Sequence, residues 1–167
     1  MARVFRGRYT AEPDKPVAVF LIGMRINKLW AFGRWVPAFT AMPKMLSSLK
    51  SDPMKGFLGG HTFLYWRGIA MVQYWNSFED LEHFARTESE AHIGAWRRFN
   101  TAVGSDGSVG VWHETYLIQP KQQESVYVNM PSFGLAGATS HVPAVGRRET
   151  ARMRLGGTNK PAVESSS

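Results

Sequence analysis

Three stretches of this chain alternate in the two-residue rhythm of a β-strand, an earlier one is a short β-branched run with eight apolar residues in ten, and a segment of helical spacing follows the first and the third of these four. The strand stretches are Val17–Ile26, Gly56–Trp66, Ile69–Trp75 and Val109–Ile118. The first helical stretch, Leu29–Lys50, carries Trp30, Trp35, Phe39, Met42, Met45, Leu46 and Leu49 at three- and four-residue steps. Pro37 and Pro43 each remove a backbone donor, which predicts a kink or two shorter helices. The second opens at Ser77, with Asp80 three residues later as a variant capping box and Glu79, Asp80 and Glu82 suiting the positive helix start. Its apolar stripe runs through Phe78, Leu81, Ala85, Trp96, Phe99 and Val103, and a break is expected near Thr87–Glu90.

The order β-α-β-β-α-β predicts an α+β fold of the ferredoxin-like kind, a four-stranded antiparallel sheet with both helices on one face. Arg67-Gly68 reads as the two-residue turn between the middle strands. All four strands carry large apolar residues on both faces, and the helices cover only one. A lone chain would expose an apolar patch larger than soluble monomers usually show. A second copy packed sheet to sheet answers this, giving a dimeric α/β barrel with two-fold symmetry. The C-terminal segment folding over the sheet is the alternative.

At 167 residues the chain suits one domain with room for extensions, and its 44% apolar content is too high for global disorder. The expected organisation is an N-terminal arm over 1–16, a barrel domain over 17–130 and an irregular basic tail over 131–167, where Gly, Ala, Ser and Pro replace periodicity. Ser125–Met130 reads as a fifth short strand. Three of the seven net positive charges fall in 141–167. The aromatic residues end at Phe133, upstream of that basic stretch, so no nucleic-acid partner is expected. No apolar run approaches a membrane span and the opening residues lack a signal peptide's order, so the expectation is a cytoplasmic protein without membrane association. The absence of Cys excludes disulfides, thiolate metal sites and a Cys nucleophile.

Several motifs together resemble a known family. They are Met71-Val72-Gln73-Tyr74-Trp75-Asn76-Ser77-Phe78-Glu79-Asp80-Leu81, His92-x-x-x-Trp96-Arg97-x-Phe99-Asn100, Gly110-Val111-Trp112-His113-Glu114-Thr115-Tyr116, Tyr127-x-Asn129-Met130-Pro131 and Gly134-Leu135. In combination they resemble the monooxygenase-like subfamily named after the fumagillin-pathway monooxygenase, within the antibiotic-biosynthesis-monooxygenase superfamily. The resemblance spans roughly residues 17–138 and implies a dimeric α+β barrel. It also implies a cofactor-independent oxidation of a hydrophobic, aromatic or polyketide-like small molecule by O₂. Haem-binding branches of the same fold, with dehydratase or peroxidase-like chemistry, leave haem open as an alternative. A non-enzymatic dimer that binds a small molecule is another.

The residues that bear on such chemistry are few. His92 interrupts an apolar helix stripe, with Glu88 one turn before it and Trp96 one turn after. Histidine is the usual base near neutral pH, and Glu88 can orient its second nitrogen. A buried histidine satisfied by a backbone carbonyl fits the same pattern. His113 and Glu114 are neighbours on one strand and so face opposite sides. One faces the helices; Glu114 also fits a structural ion pair with Arg25. Tyr65, Gln73, Trp75, Trp96 and Tyr116 are the expected lining of an apolar pocket with polar handles, and Asn129 is placed at its mouth. The five histidines show no metal-ligand spacing, so no metal is expected. No dinucleotide fingerprint or phosphate loop occurs in the required context.

Overall fold

The computed structural model describes residues 2–40, 56–86, 100–101 and 103–162. The chain divides into two compact units, Ala18–Tyr116 and a second made of Met1–Val17 and Leu117–Ser167. It is α+β, with β1 Phe5–Ala11, β2 Val17–Ile26, β3 Phe57–Tyr65, β4 Gly68–Trp75, β5 Val109–Ile118, β6 Tyr127–Met130 and β7 His141–Pro143. Helix α1 takes residues 32–40, α2 Phe78–Arg86, α3 Gly134–Ala138 and α4 Ala151–Arg154.

The Ala18–Tyr116 unit is built on a four-stranded sheet in the order β3-β4-β2-β5. β4 pairs antiparallel with both β2 and β3. The pleat sends alternate residues to opposite faces. Met24 and Ile26 of β2, Ile69 and Met71 of β4 and Val109 of β5 share one buried cluster with Ala38 of α1, against which Trp35, Phe39 and Val103 pack. Further along the same face, Trp75 and Ala18 cluster with Leu81 of α2. Trp75 is wholly buried, with Phe57 edge-on to it and Phe84 tilted against it, each at 5.3 Å. Truncating such a buried indole to Ala costs about 3–5 kcal/mol.

The hairpin turn lies one residue earlier than the sequence suggests. Tyr65 pairs with Gly68, so the loop residues are Trp66 and Arg67, and Arg67 takes the positive φ of 59°. Gly68 belongs to the strand because β2 runs too close for a side chain: a Cβ there would lie 2.0 Å from the Met24 carbonyl oxygen. α2 is capped as expected, the Asp80 amide donating to Ser77 Oγ at 3.0 Å. Of the expected kink or two shorter helices, a split does not fall at Pro37, because α1 continues through it. Pro37 is the sixth residue of the helix and lacks the N–H that would bond the Gly33 carbonyl. Pro43 and the expected break near Thr87–Glu90 lie outside the described residues.

The second unit carries a three-stranded sheet in the order β6-β1-β7. The opening residues read as a loose arm, and the stretch after Pro131 as irregular. In the structure β1 is the central strand of this sheet, and short elements, α3, β7, a 3-10 turn at Gly146–Arg148 and α4, occupy the later stretch. None of these is long enough to leave a periodic signal, and their order comes from contacts distant in sequence. The Glu12 carboxylate accepts from Arg148 Nε at 2.8 Å and from Arg147 Nη2 at 3.3 Å. Arg154, with a side chain only 6% exposed, donates to Glu124 and to the carbonyls of Arg148 and Glu149.

Candidate functional site

The helix-facing side of the sheet is largely apolar, and one transverse row sets an amide and an imidazole into it. Gly60, Gln73 and Phe20 are register partners across β3, β4 and β2. His113 of β5 extends the row, its ring 5.7 Å from that of Phe20. Gly60 contributes no side chain to the row. The Gln73 side chain is buried, and its Oε1 accepts from Trp75 Nε1 at 3.1 Å. That bond holds an amide in place on an otherwise oily wall, a fixed polar handle of the kind small-molecule sites use. The His113 imidazole is exposed on the same face and is the ionisable side chain of this row.

The sequence left open which of His113 and Glu114 faces the helices; the contact with Phe20 places His113 there. Glu114 points to the other face, and its expected ion pair with Arg25 is not formed. Its Oε2 accepts from the Tyr116 hydroxyl at 2.6 Å, because residues two apart on a strand are neighbours on one face. This bond holds the Tyr116 phenol above its ordinary pKa, since ionisation would forfeit the donated hydrogen and set two negative charges together. Arg25 instead donates to Asn27 Oδ1 and lies over the Trp66 ring at 4.6 Å.

The predicted pocket residues are thus divided. Gln73, Trp75 and His113 share the helix-facing side. Tyr65 and Tyr116 lie on the opposite face, where Trp112 Nε1 donates to the Tyr65 hydroxyl at 3.0 Å and that hydroxyl donates to the Met24 carbonyl at 2.9 Å. Trp112 also fills the space above Gly23, where a Cβ would meet its indole at 2.6 Å. Asn129 belongs to the second unit. It has φ 52°, and its Oδ1 accepts from the Gly7 amide at 2.9 Å, closing the irregular stretch of β1 between Phe5 and Arg8. His92, Glu88 and Trp96 lie outside the described residues. Phe20 and Gly60 were not foreseen as parts of the site; only the strand register, which alternation alone does not fix, brings them into the row. Among the described residues, no group of three His, Asp or Glu is placed to hold a metal ion, and no helix is long and apolar enough to cross a membrane.

A four-stranded sheet with helices on one face, and with an amide and an imidazole set into that side, places the chain among α+β proteins of the ferredoxin-like class. Within that class, the chain belongs to the monooxygenase af470-like family, whose model matches residues 17–135. It is 29% identical over 151 residues to Monooxygenase af470 of Aspergillus fumigatus, a match that takes in 77% of this chain and 53% of that protein. The chain therefore spans about half the length of this curated relative. Among solved structures, it is similar to SnoaB, a cofactor-independent oxygenase from Streptomyces nogalater, at 7% identity and a TM-score of 0.44 over 60% of this chain and 90% of that one. A conserved protein of unknown function from Bacteroides thetaiotaomicron, described as a possible oxidoreductase, matches at 17% identity and a TM-score of 0.42, over 62% and 99% of the two chains.

Proposed function

We propose that this protein is a cofactor-independent monooxygenase acting on a hydrophobic, aromatic or polyketide-like small molecule, with a homodimeric barrel formed by the 17–130 domain. The observation that carries the reading is the family match, which takes in the whole Gly60–Gln73–Phe20–His113 row. In the proposed reaction the substrate supplies the electrons. A histidine, His92 by preference with Glu88 orienting it, takes a proton from an acidic C–H. The carbanion passes one electron to O₂, and the radical pair combines to form a C–O bond. The peroxide then loses water, so that a CH₂ and O₂ become a C=O and H₂O. Gln73 offers a buried donor for the developing oxyanion, and Trp75 and Trp96 keep water away. Tyr65 and Tyr116, on the sheet's other side, belong in this reading to the seam between protomers.

The test uses anthrone, a simple aromatic with an acidic methylene, in an oxygen electrode with purified, colourless protein. Expected is O₂ uptake matched one to one by quinone. His92→Ala is expected to abolish it, and Gln73→Leu to lower it about 100–1,000-fold, as expected for loss of one oxyanion donor. Undiminished turnover in His92→Ala removes that residue from the mechanism. Turnover that tracks a haem absorbance band overturns the cofactor-free reading.

A further inference from the structure

The second unit contains a cleft of about 550 Å³ that the oxygenase reading does not use. It is lined by Lys121, Arg147, Arg148 and Arg154 against Glu12 and Asp14, with Pro13, Pro120 and Met153 as apolar wall. Arg154 is fully engaged with Glu124 and two carbonyls, so it serves as a structural pin. The remaining cations are under-matched. Glu12 is shared by two guanidinium groups, and its contact with Arg147 is long, at 3.3 Å, with the Arg147 side chain 77% exposed. Lys121 adds its field to Glu12 yet makes no ion pair with any described residue. Three cations against two carboxylates leave one positive charge over.

A second observation concerns the cleft wall. Gln123 donates its Nε2 to the Ala11 carbonyl at 3.0 Å, which fixes the amide's orientation, and its Oε1 is buried without a donor. An orphaned acceptor of this kind in a native wall calls for a missing partner. A water trapped beneath a bound molecule supplies one.

We propose that this cleft binds a small organic carboxylate, its head held by Arg147 and Lys121 and its apolar body laid against Pro13, Pro120 and Met153. One surplus charge matches a monoanion, and the planar guanidinium of Arg147 matches a carboxylate in bidentate fashion. The apolar wall favours an organic acid over a bare inorganic ion. The proposal rests on these residues alone and stands or falls apart from the oxygenase reading.

Calorimetric titration of the full chain with 2-naphthoate at low salt tests it, with uncharged 2-naphthamide as control. A ligand of this size is expected to bind with a Kd on the order of 1 mM, the amide at least about tenfold more weakly. Arg147→Glu and Lys121→Glu are each expected to weaken naphthoate at least about tenfold. Asp14→Asn is expected to tighten it. Circular dichroism checks that each variant keeps its fold, which these exposed positions allow. Equal binding of naphthoate and naphthamide, or naphthoate binding untouched in both charge-reversed variants, overturns the proposal. Inorganic phosphate that binds more tightly than naphthoate overturns the carboxylate assignment.

Discussion

Two glycines and one tyrosine show how single residues carry structure here. Gly68 and Gly23 are set by close approach rather than by turn geometry: one meets the β2 backbone and the other the Trp112 indole. Gly68→Ala forces backbone apart and is expected to cost at least about 1–3 kcal/mol, the range of an overpacked core. Gly23→Ala is expected to cost less, because a side chain can shift where a carbonyl cannot. Urea denaturation of both variants measures the difference, and a Gly68→Ala protein as stable as the parent contradicts the register. Tyr116 offers a spectroscopic test. Its phenol holds its proton above the ordinary range through Glu114, so Glu114→Gln is expected to bring the titration back down. A difference ultraviolet titration between the two proteins reads this directly.

Among the elements, the segment from Gly146 to Arg154 depends on charge to a degree that the sheet strands do not. The Arg148 guanidinium beside Glu12 holds its carboxyl below the usual carboxylate range. Glu12 thus binds a proton less readily in the folded chain than in the unfolded one. Its contribution to stability is complete above the ordinary carboxylate pKa and is lost as pH falls through the lowered value. Hydrogen exchange is expected to show the amides of Arg148 and Glu149 losing protection at acid pH before those of β2 and β4. In Glu12→Gln the same amides are expected to be less protected already at neutral pH. Arg154→Ala removes the partner of Glu124 and of two carbonyls. Because Glu124 is partly solvated, the expected loss is about 2–4 kcal/mol, at or below the range for breaking a buried pair. Simultaneous loss of protection in all strands would mean that this segment is not held separately.

On the scale of the whole molecule, the sheet's second face sets the question. Phe63 and Tyr116 are exposed there at 41% and 52%, beside the half-buried Leu21 and Trp112. The proposed homodimer gives this surface a cover. Sedimentation is expected to return twice the 18.7 kDa chain mass, and Phe63→Asp to shift it toward the monomer. A parent protein that sediments as a monomer at micromolar concentration removes the barrel and, with it, the enclosed pocket the oxygenase reading requires.

The apolar run of β2, the alternation of β4 and β5 and the capped start of α2 were legible because each is a local pattern carried by neighbouring residues. The α+β class follows from the order of the elements, and the family from a combination of motifs, two of which sit on β4, α2 and β5. The sequence could place Gln73 and Trp75 together because they are two apart on one strand. It could not place Phe20 between Gln73 and His113, or set Tyr65 on the face opposite Gln73, because strand register depends on pairing partners dozens of residues away. Nor could it see that β1 would be the middle of a second sheet, or that Glu12 would meet Arg147 and Arg148. Those contacts join stretches too short to be periodic, and only the folded chain brings them within hydrogen-bonding reach.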